Sequence, residues 1–426
     1  MSARTFSAPV GTRDVLPPES GRFARVVALF AEHARRAGFG LVINPAFEDV
    51  EVFSRGMGEQ TDIARKEMYV FEDRGGRRLA LRPEGTASVV RAFVQHHPTL
   101  PWKVWYVTPA FRYERPQAGR YRQHHQLGVE ALGSEDPTLD VEVIALAWTF
   151  YQSLGLTHVE LLVNSMGHDE CRAQYLEQLS AHLAAHASEL CEDHRVEWKR
   201  NPLRVFDCKR DECRAVTAEA PWMTDALCSP CREHFTAVTD GLSALSIPYT
   251  LAPRLVRGFD YYTRTVFEFA SHGLDAAQNA IGGGGRYDKL SAELGGDDVG
   301  GVGFGSGVER ILLTLDGEGV ELDVAPATDV FIVDTTATTA GLVLAERLRA
   351  AGVSCDRGYD GRSLKSQMKL ADRSGARVAL IIGPRELADG TVTMRDLRGA
   401  EGEGRQRTVA LADVVAEVQS LRPTTS

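Results

Sequence analysis

Residues Trp102–Gly133, WKVWYVTPAFRYERPQAGRYRQHHQLGVEALG, constrain this chain more than any other stretch. A run rich in valine and aromatics, Lys103–Glu114, gives way to a polar turn, Arg115-Pro116-Gln117-Ala118-Gly119-Arg120, and then to a second run, Tyr121–Leu132. Two such runs around a Pro/Gly turn predict an antiparallel hairpin with a long loop. Strand side chains alternate faces, so Arg112 and Glu114 share one face, as do Gln126, Gly128 and Glu130 on the return strand. Phe111, Tyr113, Leu127, Val129 and Ala131 fall on the other. One face is an apolar floor, and the other carries polar groups that can all point at one ligand.

Charge adds a second constraint. Residues 112–122 hold four arginines (Arg112, Arg115, Arg120, Arg122) against one glutamate, in a chain of net charge −10. Guanidinium groups make fork-like contacts to phosphate, although a solvated hairpin with a basic tip carries the same charges. The acidic total opposes indiscriminate nucleic-acid binding and permits local basic patches. At 43% hydrophobic and 25% charged over 426 residues, the composition is that of a soluble chain with room for two or three domains. No apolar run approaches the ~18 residues of a membrane span, and the start, MSARTFSAPVGTRDVLPP, lacks an apolar secretory core. Seven cysteines, an odd number, argue against a disulfide framework and for a reducing, cytoplasmic setting.

Elsewhere the pattern alternates. A helix is predicted from Glu19, with Phe23, Val26, Val27, Phe30 and Ala34 at three- and four-residue spacing and a stop at Gly38. Phe39–Phe53 reads as strand broken at Asn44-Pro45. Met68–Glu72 and Arg78–Arg82 read as short strands about a turn. Glu84-Gly85-Thr86 opens a helix, where Thr86 suits an N-cap and Glu84 suits the positive dipole end. Residues 138–155 read as an amphipathic helix and Leu161–Val163 as a strand. From Met166 to about Leu245 the chain is helix-rich, acidic and cysteine-bearing, and Tyr249–Phe269 returns to strand character. Cys208-x4-Cys213 and Cys228-x2-Cys231 supply four thiolates, enough to close one tetrahedral zinc site. Reduced thiols packed in a small subdomain are the other reading.

Arg257-Gly258 with Asp260-Tyr261-Tyr262 places a cation and two tyrosines ahead of a strand. Gly282–Gly285 permit close backbone approach, but the segment has neither Rossmann nor Walker spacing. Gly301–Leu313 reads as strand, glycine turn and helix, with Arg310 early in the helix. Gly317–Thr328 is a linker by composition. Beyond it, Val330–Val333, Ala340–Ala351, Val353–Cys355, Ser363–Ser374 and Val378–Ile382 alternate strand and helix, predicting a small α/β domain with a mostly parallel core.

The hairpin FRYERPQAGRYRQHHQLGVEALG resembles motif 2 of the class II aminoacyl-tRNA synthetases, in its histidyl-tRNA synthetase version. LRPEGT, LVRGFDYY and GVGFGSGVERILL are similar to that family's histidine-site segment, its histidyl-specific motif and motif 3, so the resemblance covers nearly the whole chain. It implies an α+β catalytic domain with an antiparallel sheet over 1–320, a helical insertion at about 166–245 that clamps the tRNA acceptor stem, and a C-terminal α/β anticodon-binding domain over 328–426. It implies a homodimer built on the first helix and strand.

The implied reaction activates L-histidine with ATP, accompanied by magnesium, and loads it onto tRNA(His). By resemblance, Arg257 and Arg112 are catalytic. Glu84, Gly85, Thr86, Gln126, Glu130, Arg257, Tyr261 and Tyr262 bind histidine, with Glu130 and Tyr262 reading the imidazole. Arg112, Glu114, Arg120 and Arg310 bind ATP. Arg115 and Gln117 at the loop tip are expected near the acceptor end. Zinc is not general to this family, so Cys208, Cys213, Cys228 and Cys231 stand only as candidate ligands. The rival reading is a catalytically inactive regulatory paralogue of the ATP phosphoribosyltransferase type, which lacks much of this pattern.

Overall fold

The computed structural model describes the chain except for residues 1–4, 59–60, 62, 118, 275–278, 325–327, 399–405 and 422–426. Ala118 of the hairpin turn and part of the expected linker thus lie outside the described residues. The chain forms two compact units, Met1–Leu322 and Asp323–Ser426.

In the first unit, α1 (Glu19–Arg36) buries Val26, Phe30 and Ala34, the apolar stripe read from the sequence. Two short strands follow, β1 (Gly40–Leu41) and β2 (Phe47–Asp49). The strand expected to reach Phe53 stops here. Asp49 accepts a hydrogen bond from the Glu51 amide and so caps α2 (Val50–Met57), which buries Phe53 and Met57. β3 (Val70–Glu72) and β4 (Arg78–Leu81) pair across the predicted turn, and β2 joins them in a three-stranded sheet. α3 (Thr86–His96) starts at the predicted threonine.

β5 (Trp102–Phe111) and β6 (Gln123–Leu132) form the predicted hairpin. It is shorter than expected, because Arg112–Glu114 leave the ladder for the loop. Tyr113, expected on the apolar floor, is 54% exposed with the Arg122 guanidinium 3.9 Å over its ring. It lies beyond the last strand pair, edge-on to the Tyr69 ring with centroids 5.5 Å apart. Leu127, Val129 and Ala131 are fully buried in the main core, as the floor reading requires.

α4 (Pro137–Ser153) is capped by Asp136 and leads into β7 (Val159–Ser165). The sequence pattern predicts an amphipathic α4, yet Leu139, Val141, Val143, Ile144, Leu146, Ala147 and Phe150 are all buried. The helix is wedged between the sheet, α1 and a later helix, so few of its sides meet solvent. The chain between β7 and the next strand is helical: α5 (Asp169–Ala185), α6 (His194–Glu197), α7 (Asp211–Ala218) and α8 (Ser229–Ala244). Then come β8 (Thr250–Leu251), β9 (Thr263–Ser271), β10 (Ala280–Arg286), α9 (Leu290–Glu293), β11 (Gly301–Gly307) and α10 (Val308–Glu318). Residues 252–262, read as strand, are loop, and the glycines read as a turn before α10 lie within β11.

The large sheet has the order β1-β5-β6-β11-β10-β9-β7-β8. Only the outermost pairs, β1–β5 and β7–β8, are parallel. A fully buried ion pair pins helix to sheet: Arg286 of β10 reaches Asp140 of α4 at 2.5 Å and 3.0 Å. Asp140 also accepts hydrogen bonds from His234 of α8 (2.8 Å) and Thr265 of β9 (2.7 Å).

The second unit comprises β12 (Val330–Asp334), α11 (Ala340–Ala350), β13 (Cys355–Arg357), α12 (Leu364–Arg373), β14 (Val378–Ile382), α13 (Pro384–Ala388), β15 (Thr391–Asp396), β16 (Gln406–Ala410) and α14 (Val414–Ser420). Its sheet runs β13-β12-β14-β15-β16. The first three strands are parallel, but β15 and β16 add antiparallel, so the core is mixed rather than mostly parallel. The connection from β14 to β15, residues 383–390, is shorter than the dozen or so residues that a parallel crossover needs.

Candidate active site

The polar face of the large sheet floors a cleft of about 660 Å³. Glu84, Thr86, Arg112, Glu114, Arg120, Gln126, Arg257, Tyr261, Tyr262 and Arg310 all line it, although they come from four separate stretches of chain. Gly85 sits at the edge, where its amide donates to Gln126 Oε1 at 2.9 Å.

One end of the cleft is a buried carboxylate network. Glu84 accepts from the Thr86 and Ala87 amides at 2.6 and 2.8 Å, so it caps α3 in place of the expected Thr86. That frees the Thr86 hydroxyl to donate to Glu130 Oε1 at 2.7 Å. Tyr287 donates to Glu130 Oε2 at 2.5 Å, and Tyr106 to Oε1 at 3.3 Å. Burial pushes the Glu130 carboxyl up to about 8, only partly offset by the hydrogen bonds from Tyr287 and Thr86. Burial likewise raises Glu84. Tyr261 and Tyr262 pack beside this network with ring centroids 4.6 Å apart and their planes tilted by 52°.

The other end is cationic. Arg112 donates from Nε to the Pro83 carbonyl at 2.9 Å and stands 5.8 Å from the Phe259 ring. Arg120 Nη1 lies 3.4 Å from Glu114. Arg310 donates to the Ala280 carbonyl at 3.1 Å. Arg257 pairs with Glu268 at 2.7 Å, and its Nε is buried without a hydrogen-bond partner among the described residues. His124, beside Arg112, is lowered to about 4, first by burial and then by that cation, and stays neutral.

The remaining hairpin arginines play other parts. Arg115 is exposed and outside the cleft lining, as is Gln117. Arg122 covers Tyr113 and donates to the Glu114 carbonyl at 3.2 Å.

Tyr106, Tyr287, Glu268 and His124 belong to the site but were not singled out by sequence. Only strand alternation pointed to them, and it does so equally for every inward residue. The glycine runs give the predicted close backbone approach, since a Cβ on Gly284 would stand 1.9 Å from the Gly303 carbonyl, and they clear space for side chains as well. A Cβ on Gly303 would stand 1.8 Å from Glu130 Oε2, and one on Gly283 would stand 2.8 Å from Arg257 Nη1.

The single four-cysteine zinc site is not formed. Cys208 and Cys213 group with Cys191 and His194, while Cys228 and Cys231 group with His168 and Cys171. Cys213 lies in α7 and Cys231 in α8, and each cysteine pair meets a His-Cys pair contributed from upstream, a partnership that sequence spacing does not reveal.

An antiparallel sheet carrying this arginine-lined cleft, with a separate small α/β unit, is the architecture of a class II aminoacyl-tRNA synthetase. The family model described as histidyl-tRNA synthetase matches residues 11–311, and the one described as anticodon binding domain matches 326–421. The chain is 50% identical to a histidine–tRNA ligase of Mycobacterium marinum, over 97% of this chain and 98% of that one. It is 47% identical to that of Halothermothrix orenii, over 97% and 99%. The crystal structure of apo S. aureus histidyl-tRNA synthetase superposes with a TM-score of 0.81 at 35% identity, covering 97% of this chain and all of that one. The chain belongs to the histidyl-tRNA synthetase family.

Proposed function

We propose that this chain is a histidine–tRNA ligase working in two steps in the one cleft. A carboxylate oxygen of L-histidine attacks the α-phosphorus of ATP, the bond to the β-phosphate breaks, and pyrophosphate leaves. A terminal ribose hydroxyl of tRNA(His) then attacks the histidyl carbonyl, and AMP departs. The observation that carries the reading is the pairing of a buried carboxylate–phenol pocket with a set of guanidinium groups across a single cleft. Such chemistry rests on positioning and on stabilising spread negative charge.

In this reading Glu130 and Tyr262 read the imidazole, with Tyr261 packed behind. Glu84, Gly85, Thr86 and Gln126 hold the ammonium end. Arg112 holds the α-phosphate, Arg120 and Arg310 reach the γ-phosphate, and Arg257 supplies charge at the reacting carboxylate and phosphate. The unpartnered Arg257 Nε supports that role, since a buried donor without a partner is costly unless a ligand completes it. ATP arrives as its magnesium complex, for which Glu114 and Glu268 offer hard oxygen donors.

The segment 166–245 is assigned to the acceptor stem, and the unit from Asp323 to the anticodon. The catalytic unit is assigned to a homodimer in the cytoplasm. Phe47 and Phe71 are exposed at 50% and 41% with ring centroids 6.1 Å apart, an apolar edge that a second copy would cover. No helix among the described residues is long and apolar enough to cross a membrane.

The test is ATP–pyrophosphate exchange with each of the amino acids in turn. Exchange confined to histidine supports the ligase, whereas none with any amino acid would favour the regulatory paralogue.

A further inference from the structure

We propose that the helical segment between β7 and β8 holds two structural zinc ions, each in its own Cys3His site. The first is His168, Cys171, Cys228 and Cys231, and the second is Cys191, His194, Cys208 and Cys213.

The spacing of the donor atoms supports this. A tetrahedral ion with Zn–S near 2.3 Å and Zn–N near 2.0–2.1 Å sets its sulfurs about 3.8 Å apart and sulfur and nitrogen about 3.6 Å apart. In the first site the Cys171 and Cys231 sulfurs are 3.8 Å apart. His168 Nδ1 lies 3.2, 3.6 and 3.3 Å from the sulfurs of Cys171, Cys228 and Cys231. In the second, Cys191 and Cys208 are 3.9 Å apart, and His194 Nδ1 lies 3.1 and 3.8 Å from Cys191 and Cys213. One imidazole nitrogen among three thiols, twice in one segment, is a ligand set rather than apolar packing. Soft sulfur with one imidazole in tetrahedral array selects zinc over harder ions. Glu170 stands 3.7 Å from the other ring nitrogen of His168, a carboxylate that would orient that ring.

Binding displaces three thiol protons per ion to solvent and leaves each site with net charge −1. The first ion ties the start of α5 to the start of α8, next to Gly167, whose carbonyl accepts the Arg264 amide at 2.7 Å. Arg172, one residue past Cys171, donates to the Tyr262 carbonyl at 3.0 Å. The second ion fixes Cys208, which lines the cleft beside Phe206 and Asp207. The two ions therefore hold the wall of the cleft that faces Arg257.

The test is elemental analysis of the purified full-length protein after dialysis against metal-free buffer. Two zinc per chain is the expected result, and a value near zero or one overturns the proposal, as does iron with inorganic sulfide. Cys231→Ser and Cys191→Ser are each expected to retain one zinc, and the double variant none. Cobalt-loaded wild type is expected to show thiolate-to-cobalt charge-transfer absorption that halves in each single variant. An undiminished zinc content or absorption in either variant overturns the assignment of ligands. The wild-type count decides the matter even where a variant fails to fold.

Discussion

Arg257 Nη1 stands 2.7 Å from Glu268 Oε2 on the floor of the cleft, both about one-fifth exposed. Two oppositely charged groups this close hold each other in place before any ligand arrives. The cation is thus preorganised where negative charge develops. Arg257→His is expected to lower the rate of histidine-dependent pyrophosphate exchange about 10²–10³-fold, or about 2.7–4 kcal/mol, with little change in melting temperature. Steady-state exchange at saturating histidine checks it, and wild-type turnover would remove Arg257 from the chemistry.

Glu130 yields a pH signature. Its carboxyl ionises near 4.5 when unfolded and near 8 when folded. Between those values the folded state holds the extra proton, so this group's contribution to stability falls as pH rises from about 4.5 to about 8. Melting curves of the ligand-free protein across that window are expected to flatten in Glu130→Gln. The same variant is expected to lose histidine binding, because a site built of polar partners discriminates by leaving them unpaired.

Arg286 and Asp140 are both fully buried and bridge β10 to α4. Removing one partner leaves an uncompensated charge in the core. Asp140→Ala is expected to destabilise the first unit by about 3–5 kcal/mol, read from urea denaturation. His234 and Thr265 lose the same acceptor, so their further substitution in that background is expected to add little.

Gly303→Ala would place a methyl 1.8 Å from Glu130 Oε2 and against the Val129 carbonyl. Neither neighbour is free to yield, since Glu130 is held by three hydroxyls and Val129 is in the sheet. Overpacking of this kind costs about 1–3 kcal/mol. The histidine KM is expected to rise far more than the ATP KM, and equal shifts in both would contradict the placement of the histidine pocket.

The hairpin, the alternation of its faces and ten of the residues that line the cleft were legible before any tertiary contact was known. Strand alternation needs only a period of two, so Gln126 and Glu130 together opposite Leu127 and Val129 could be read directly. The stripe of α1 followed from helical spacing, and the start of α3 from the preferences of residues at a helix N-terminus. Tertiary structure decided what local periodicity does not contain. It turned Val50–Met57 into helix, buried α4 on most sides, and drew Tyr106, Tyr287 and Glu268 into the site across strands far apart in the chain. It separated Arg112 and Arg120, which line the cleft, from Arg115 and Arg122, which do not. It also divided the cysteines into two groups, because helices α5 to α8 bring His168 and His194 to sulfurs that sequence spacing had paired with each other. Local rules govern which way a side chain leaves its own strand or helix, whereas the company it meets depends on how distant segments pack.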